Sequence, residues 1–175
     1  LAVPVVGMVS AIKPVAEQTR SGVIGLLGTA ATIRQPYVDR LEAEFAGDKV
    51  LLRHGAGELV GAAEAKLRGQ PVDPEVIARA VAGLRDQPGG GMIDTVVLAC
   101  THFPLLADEL GHAFGPDVAL VHGAAGIARR IAHLTRGQPF RRAAPDLALF
   151  TRAEEGLDLA RPALQRYGLE RVEVL

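Results

Sequence analysis

Short runs of β-branched residues and leucine alternate with longer segments of helical periodicity along the chain. The runs that predict strands are residues 23–28, 50–53, 95–99, 118–121, 147–150 and 172–175. The segments that predict helices are residues 11–19, 35–45, 57–68, 74–86, 104–114, 124–135 and 154–167. Strands that are apolar almost throughout, such as 95–99, are typical of parallel sheets covered on both faces. The pattern predicts an α/β fold, a three-layer sandwich around a mainly parallel sheet. A proline- and glycine-rich stretch, residues 87–91, predicts a flexible connection.

Composition narrows the classes of function. The chain has 175 residues, with 19 Lys plus Arg against 20 Asp plus Glu, and aromatic residues make up only 4%. Because nucleic-acid binders carry a basic excess, we expect no nucleic-acid partner. The longest nearly apolar run, residues 23–33, is shorter than the ~20 residues that span a bilayer, so we expect no membrane partner.

A single cysteine limits the metal and redox chemistry that the chain can support. One thiol cannot form an internal disulfide, and it makes a cysteine-based zinc site an unfavourable interpretation, so we expect no metal. A lone thiol fits a reducing compartment, and we expect a cytoplasmic protein.

The carboxyl ends of parallel strands meet at one edge of the sheet, and ligands of such folds bind at that edge. Side chains capable of chemistry follow most of the predicted strands. They are Thr29 and Thr32, Arg53 and His54, Cys100 with Thr101 and His102, His122, and Thr151.

Cys100 carries the most chemistry of this set. It ends an apolar strand and precedes a predicted helix, whose positive end would stabilise a thiolate. A thiolate can act as nucleophile or proton acceptor, and His102 could tune it or relay its proton. The alternative is a small buried apolar residue, since free cysteine is often buried. With Thr101 and His102 on the same turn, we favour the functional interpretation. Thr29 and Thr32 either hold a carboxylate or cap a helix.

Residues 99–106, Ala-Cys-Thr-His-Phe-Pro-Leu-Leu, resemble the second cysteine signature of glutamate racemases, which belong to the cofactor-independent aspartate/glutamate racemase family. The similarity covers nearly the whole chain. Further segments that match the family are residues 3–14, 25–33, 58–60, 63–67 and 126–130.

The resemblance implies a mechanism in which two thiols face opposite sides of a substrate α-carbon and move its proton without a cofactor. Cys100 would be the thiol acting on the L-enantiomer, assisted by His102. Glu64 would be the acidic partner of His102, with Glu58 as a competitor for that role. The substrate contacts implied are Thr101, His102, Thr29 and Thr32. The implied substrate is glutamate, and the implied role is peptidoglycan synthesis, hence cell-wall biogenesis and cell shape.

The chain lacks two motifs that belong to the first half of the family's proteins. The Asp-Ser-Gly run and the Cys-Asn-Thr run with the second thiol are absent, and the chain begins with Leu. We therefore expect the C-terminal two-thirds of a racemase: a second domain, residues 1–117, plus the returning part of a discontinuous first domain, residues 118–175. Such a chain should be a poor or inactive racemase by itself. Apolar surface meant for the first half should favour a homodimer.

Two alternatives from other classes remain open at this point. Cys100 could be the nucleophile of a cysteine-dependent amidohydrolase with His102 as its base. The chain could also be a non-catalytic α/β domain that binds dicarboxylates.

Overall fold

The computed structural model describes residue 6 and residues 11–139, 141, 144–153 and 155–175. Most of the matched segment 3–14, and Glu154 at the start of the last predicted helix, lie outside these residues. The helices are α1 Ile12–Gln18, α2 Ala30–Ile33, α3 Pro36–Phe45, α4 Glu58–Leu67, α5 Pro74–Arg85, α6 Ala107–Phe114, α7 Ala124–Leu134 and α8 Leu157–Arg166. The strands are β1 Val23–Gly28, β2 Val50–Gly55, β3 Thr95–Leu98, β4 Ala119–Val121, β5 Leu147–Phe150 and β6 Arg171–Val174. Within the described ranges, no helix is long and apolar enough to cross a membrane.

Four strands form one fully parallel sheet in the order β2-β1-β3-β4. The chain moves outward from β1 to β2, then returns past β1 to β3, so the strand order reverses between β1 and β3. In open parallel sheets, the crevice at the carboxyl ends of the two strands at such a reversal is the usual ligand site. Two turns therefore define the candidate site: the one after Gly28 and the one after Leu98.

Hydrophobic cores on both faces of this sheet confirm the predicted three-layer α/β sandwich. Alternate residues of β1 enter opposite cores, because successive strand side chains point to opposite faces. Val23 and Leu27 pack with α4, α5 and α6, whereas Ile24 and Leu26 pack with α1 and α3. All six residues of β1 are buried, as expected for a central parallel strand.

The last two strands do not join this sheet. β5 and β6 pair with each other in a separate parallel sheet, so Thr151 does not lie at the predicted common edge. β4 follows the predicted domain boundary at residue 117 and still pairs with β3. The division into residues 1–117 and 118–175 stays a prediction.

β2 is longer than predicted, because its pairing with β1 continues to Gly28 opposite Gly55. Arg53 and His54 therefore lie within the strand and not on the turn after it. The Arg53 guanidinium binds Asp39 and Glu42 of α3 on one face. The prediction that these two residues join the cluster at the strand ends is wrong.

The stretch 87–91 forms an ordered turn and not the predicted flexible connection. Residues Gly90–Met92 form one turn of 3-10 helix, and Gly90 N donates to Gln87 O at 2.7 Å. Arg85 Nη1 donates to the carbonyl of Gly90 at 3.2 Å. Gly90 is buried, and a Cβ there would lie 2.4 Å from the carbonyl oxygens of Leu84 and Arg85. The glycine is required by close approach of the backbone.

Gly90→Ala should lower the free energy of unfolding by about 1–3 kcal/mol, because the added methyl group overpacks against fixed backbone atoms. Gly91→Ala is the matched control, since nothing lies within 4 Å of its Cβ position. Urea unfolding of both variants measures the difference. Equal stability of the two variants would contradict this account of the turn.

Asp94 fastens the amino-terminal edge of the sheet, at the opposite end from the candidate site. Its carboxylate accepts hydrogen bonds from Thr19 Oγ1, Arg20 N and Ser21 N, each at 2.7 Å. Burial raises the pKa of Asp94, but these bonds, with a further one from Thr95, outweigh burial and hold the pKa well below its ordinary value of 3.8.

The lowered pKa of Asp94 gives a pH-dependent contribution to stability. Because the folded state favours the carboxylate, the contribution is present above about pH 4 and is lost as the pH falls below that value. Asp94→Asn should lower the free energy of unfolding by about 1–2 kcal/mol at pH 7, and the difference from the unaltered chain should shrink on acidification. Urea titrations at pH 7 and pH 3 measure this. A difference independent of pH would contradict it.

Candidate active site

The turn after β1 places two threonine hydroxyls at the strand-order reversal. Thr29 is the N-cap of α2, and its Oγ1 accepts from Thr32 N at 3.2 Å. The two hydroxyl oxygens lie 2.9 Å apart. A Cβ built on Gly28 would lie 3.5 Å from Thr32 Cβ and 3.6 Å from Ala99 Cβ. This turn therefore adjoins the one after β3, and the capping interpretation of Thr29 is confirmed.

The turn after β3 carries Cys100, Thr101 and His102. It continues into a 3-10 turn, Phe103–Leu106, and α6 begins only at Ala107, three residues after the predicted helix start. The tighter winding follows from the hydrogen bonds: Phe103 N donates to Cys100 O, and Leu105 N donates to His102 O. Phe103 is fully buried and anchors the turn to the core, while Cys100 is half-buried and borders the core.

Cys100, His102 and Glu64 form a continuous row. Cys100 Sγ lies 4.0 Å from Nδ1 of His102, and Nε2 of the same ring lies 3.2 Å from Oε1 of Glu64. Glu64 projects from α4, whose other face is held in the core by fully buried Leu59 and Ala63. The fold thus brings Glu64 to the turn of Cys100 and His102, although Glu64 lies 38 residues before His102 in the sequence.

The contact with Glu64 determines what His102 can do. A carboxylate only accepts hydrogen bonds, so Nε2 carries the proton in the contact with Glu64. In the neutral ring Nδ1 is then unprotonated and faces the sulfur. His102 can therefore accept the thiol proton of Cys100, and Glu64 then stabilises the resulting imidazolium.

The remaining predicted residues, Glu58 and Thr101, lie outside the row of contacts. Glu58, the competitor for the acidic role, is exposed at the start of α4 and has no described contact with His102. Thr101 is exposed on the turn between Cys100 and His102. Sequence analysis did not predict Arg68 as a site residue, yet Nη1 of Arg68 lies 3.0 Å from Oε2 of Glu64. Its spacing of four residues from Glu64 on a predicted helix was the available signal.

The fold is an α/β sandwich with a row of Cys, His and Glu side chains at the strand-order reversal, and comparisons with known proteins identify its family. The profile described as Asp/Glu/Hydantoin racemase matches residues 1–131. Glutamate racemase of Sphingopyxis alaskensis is 62% identical over the whole chain, and that of Erwinia tasmaniensis is 44% identical over 99% of it. The chain belongs to the Asp/Glu/Hydantoin racemase family.

A solved structure supports the same conclusion. Escherichia coli glutamate racemase, in complex with L-glutamate and the activator UDP-MurNAc-ala, superposes over 100% of this chain with a TM-score of 0.90 at 38% identity. The chain spans 66% of the length of that protein and of the Sphingopyxis relative, and 62% of the Erwinia relative. These findings confirm the family and fold expected from the sequence.

The row of contacts predicts that the reactivity of Cys100 depends on Glu64 and not on Glu58. Glu64→Gln should slow alkylation of Cys100 by iodoacetamide about three- to ten-fold at pH 7, because a half-exposed charge-assisted hydrogen bond to His102 is weakened. Glu58→Gln is the control and should leave the rate unchanged. Since the chain has one cysteine, every alkylated molecule reports on this thiol. Equal alkylation rates in Glu64→Gln and Glu58→Gln would contradict the assignment of Glu64 as the partner of His102.

Proposed function

We propose that this chain supplies one of the two acid/base thiols of a glutamate racemase, the thiol that acts on the L-enantiomer. The observation that carries the proposal is the row from Cys100 through His102 to Glu64 at the strand-order reversal. The family membership and the racemase names of its relatives support it.

The row supports proton transfer at an α-carbon. His102 accepts the thiol proton through Nδ1, and the Cys100 thiolate then removes the α-proton of L-glutamate. The electron pair left on the α-carbon delocalises into the adjacent carboxylate group. Inversion needs a proton donor on the opposite face, and this chain holds one cysteine. We assign that donor to a part of the longer relatives that the chain does not span.

The substrate would be held by the hydroxyls on the two adjoining turns. Thr29 and Thr32 share one hydrogen bond between their oxygens, which leaves the second hydroxyl proton free to donate to a carboxylate. Thr101, between the two acid/base residues, presents a further hydroxyl. His102 would contact the substrate as well as the thiol. These roles follow the resemblance, and the proximity of the two turns supports them.

The cellular role that follows is supply of D-glutamate for peptidoglycan synthesis in the cytoplasm, and hence cell-wall biogenesis and cell shape. No cofactor or metal is part of this chemistry. The partner is a small dicarboxylic amino acid, and we also propose association into a homodimer. Exposed apolar side chains in the last part of the chain, Leu149, Leu159 and Tyr167, support an interface there.

Domain organisation enters the proposal in the same way. We assign residues 1–117 to the domain that carries the thiol and residues 118–175 to the returning part of another. The burial pattern supports the division, because none of the described residues after Val118 is buried.

A cysteine-dependent amidohydrolase is a second candidate, because the structure adds what the sequence could not supply. Glu64 orients His102, which completes the nucleophile, base and orienting group of a thiol hydrolase. Family membership favours proton transfer over acyl transfer for the same three residues.

Deuterium exchange tests the proposed function. Incubated in deuterated water, the chain should introduce deuterium slowly at the α-carbon of L-glutamate with retention of configuration, because one thiol removes and returns the proton on one face. D-Glutamate should stay unlabelled, and Cys100→Ser should abolish the labelling. Mass spectrometry and chiral chromatography measure both. Labelling that persists in Cys100→Ser would refute the role of the thiol, and rapid inversion would refute the count of bases.

A further inference from the structure

Arg68 lies at the outer end of the acid/base row. It is the C-cap residue of α4, four residues after Glu64, so both side chains project from the same side of the helix. Nη1 of Arg68 lies 3.0 Å from Oε2 of Glu64, while Oε1 of the same carboxylate faces His102 at 3.2 Å. Each oxygen of Glu64 therefore has its own donor.

We propose that Arg68 is a positioning residue for the thiol site. By holding one oxygen of Glu64 it fixes the other on Nε2 of His102, and this keeps the unprotonated Nδ1 directed at the sulfur of Cys100. The reaction of the thiol in this inference rests on the proposed function. The way in which the thiol is activated rests on the geometry alone.

Energetic considerations explain why a second anchor matters. The side chain of Glu64 is 37% exposed and that of His102 is 35% exposed. A single ion pair at this exposure contributes little net free energy, because the lost rotamer freedom of the glutamate offsets most of the electrostatic attraction. The contact with His102 by itself therefore restrains Glu64 only weakly. Two contacts on one carboxylate share the same entropic loss, so Arg68 decides how often Glu64 faces the imidazole.

The side chain of Arg68 is only 26% exposed, and it lies near Gly156. A Cβ built on Gly156, the residue before α8, would lie 3.5 Å from Cδ of Arg68 and 3.7 Å from its Nε. Gly156 has φ +81°, a conformation that favours glycine. The other cation near the end of α4, Lys66, binds Glu109 of α6 at 2.7 Å. The partners described for the Glu64 carboxylate are thus Arg68 and His102, whereas Lys66 pairs with Glu109.

The rate of Cys100 alkylation, followed from pH 6 to pH 9, tests this in the full chain. Arg68→Gln should reduce the rate at pH 7 about two- to five-fold, the factor that corresponds to the coupling free energy of an exposed ion pair. Arg68→Lys should retain more than half of the rate, because it restores a donor for Oε2. Long-range ¹H–¹⁵N correlation spectra should show a larger fraction of His102 protonated at Nδ1 in Arg68→Gln.

Two controls separate positioning from a general effect on the helix or on charge. Arg79→Gln breaks a similar pair, Glu75 with Arg79 at spacing of four on α5, and should leave the rate unchanged. Arg68→Gln added to Glu64→Gln should change nothing further, because the effect passes through Glu64. Unfolding by urea verifies that each variant is folded.

The outcomes separate this inference from the proposed function. An unchanged rate and tautomer in Arg68→Gln, an equal loss in Arg79→Gln, or a full effect of Arg68→Gln without Glu64 would each overturn the positioning role. If the unaltered chain fails to exchange the α-proton of glutamate while the Arg68 series behaves as expected, the proposed function fails and the positioning role stands.

Discussion

The parallel pairing of β1 with β3 is the constraint on which the rest of the molecule depends. The pairing places the turn after Gly28 beside the turn after Leu98, although about 70 residues separate them. It also separates two hydrophobic cores, each of which receives alternate side chains of the same strands. Because both turns are fixed to buried strands, the hydroxyl of Thr29 and the sulfur of Cys100 are presented from a rigid edge.

The chemistry that we propose at that edge depends on α4, the helix that follows β2 on the other side of the strand-order reversal. Glu64 comes from α4 and reaches across to His102, so the thiol site combines the β3 turn with the helix that follows β2. Each contact in the row is weak individually, at 4.0 Å, 3.2 Å and 3.0 Å. In the arrangement that we propose, the contacts act in sequence: Arg68 orients Glu64, Glu64 orients His102, and His102 faces Cys100.

Strand existence, helix existence and the α/β class followed from the sequence because strong hydrophobic periodicity decides them. The acidic partner of His102 could be assigned to Glu64 only through a family resemblance, and the structure supports that choice by geometry. The ordered turn at Gly90 was missed because a run of proline and glycine has no hydrophobic pattern, and the close approach of its backbone to Leu84 and Arg85 is visible only in the folded chain. The separate β5–β6 sheet was missed because an apolar run predicts a strand and not its pairing partner. Arg68 was missed because its spacing of four residues from Glu64 also fits an ordinary surface ion pair.

The packing of α4 against the core determines where Glu64, on the adjacent face of the helix, points. Leu59 and Ala63 bury one side of α4 in the hydrophobic core. Glu64 follows Ala63 directly and lies about 100° further around the helix axis. The orientation of α4 about its axis, and with it the direction of the Glu64 carboxylate, is therefore set by buried apolar side chains that lie outside the candidate site. Repacking the apolar residues beneath α4 would therefore redirect the Glu64 carboxylate while leaving every polar residue of the site in place.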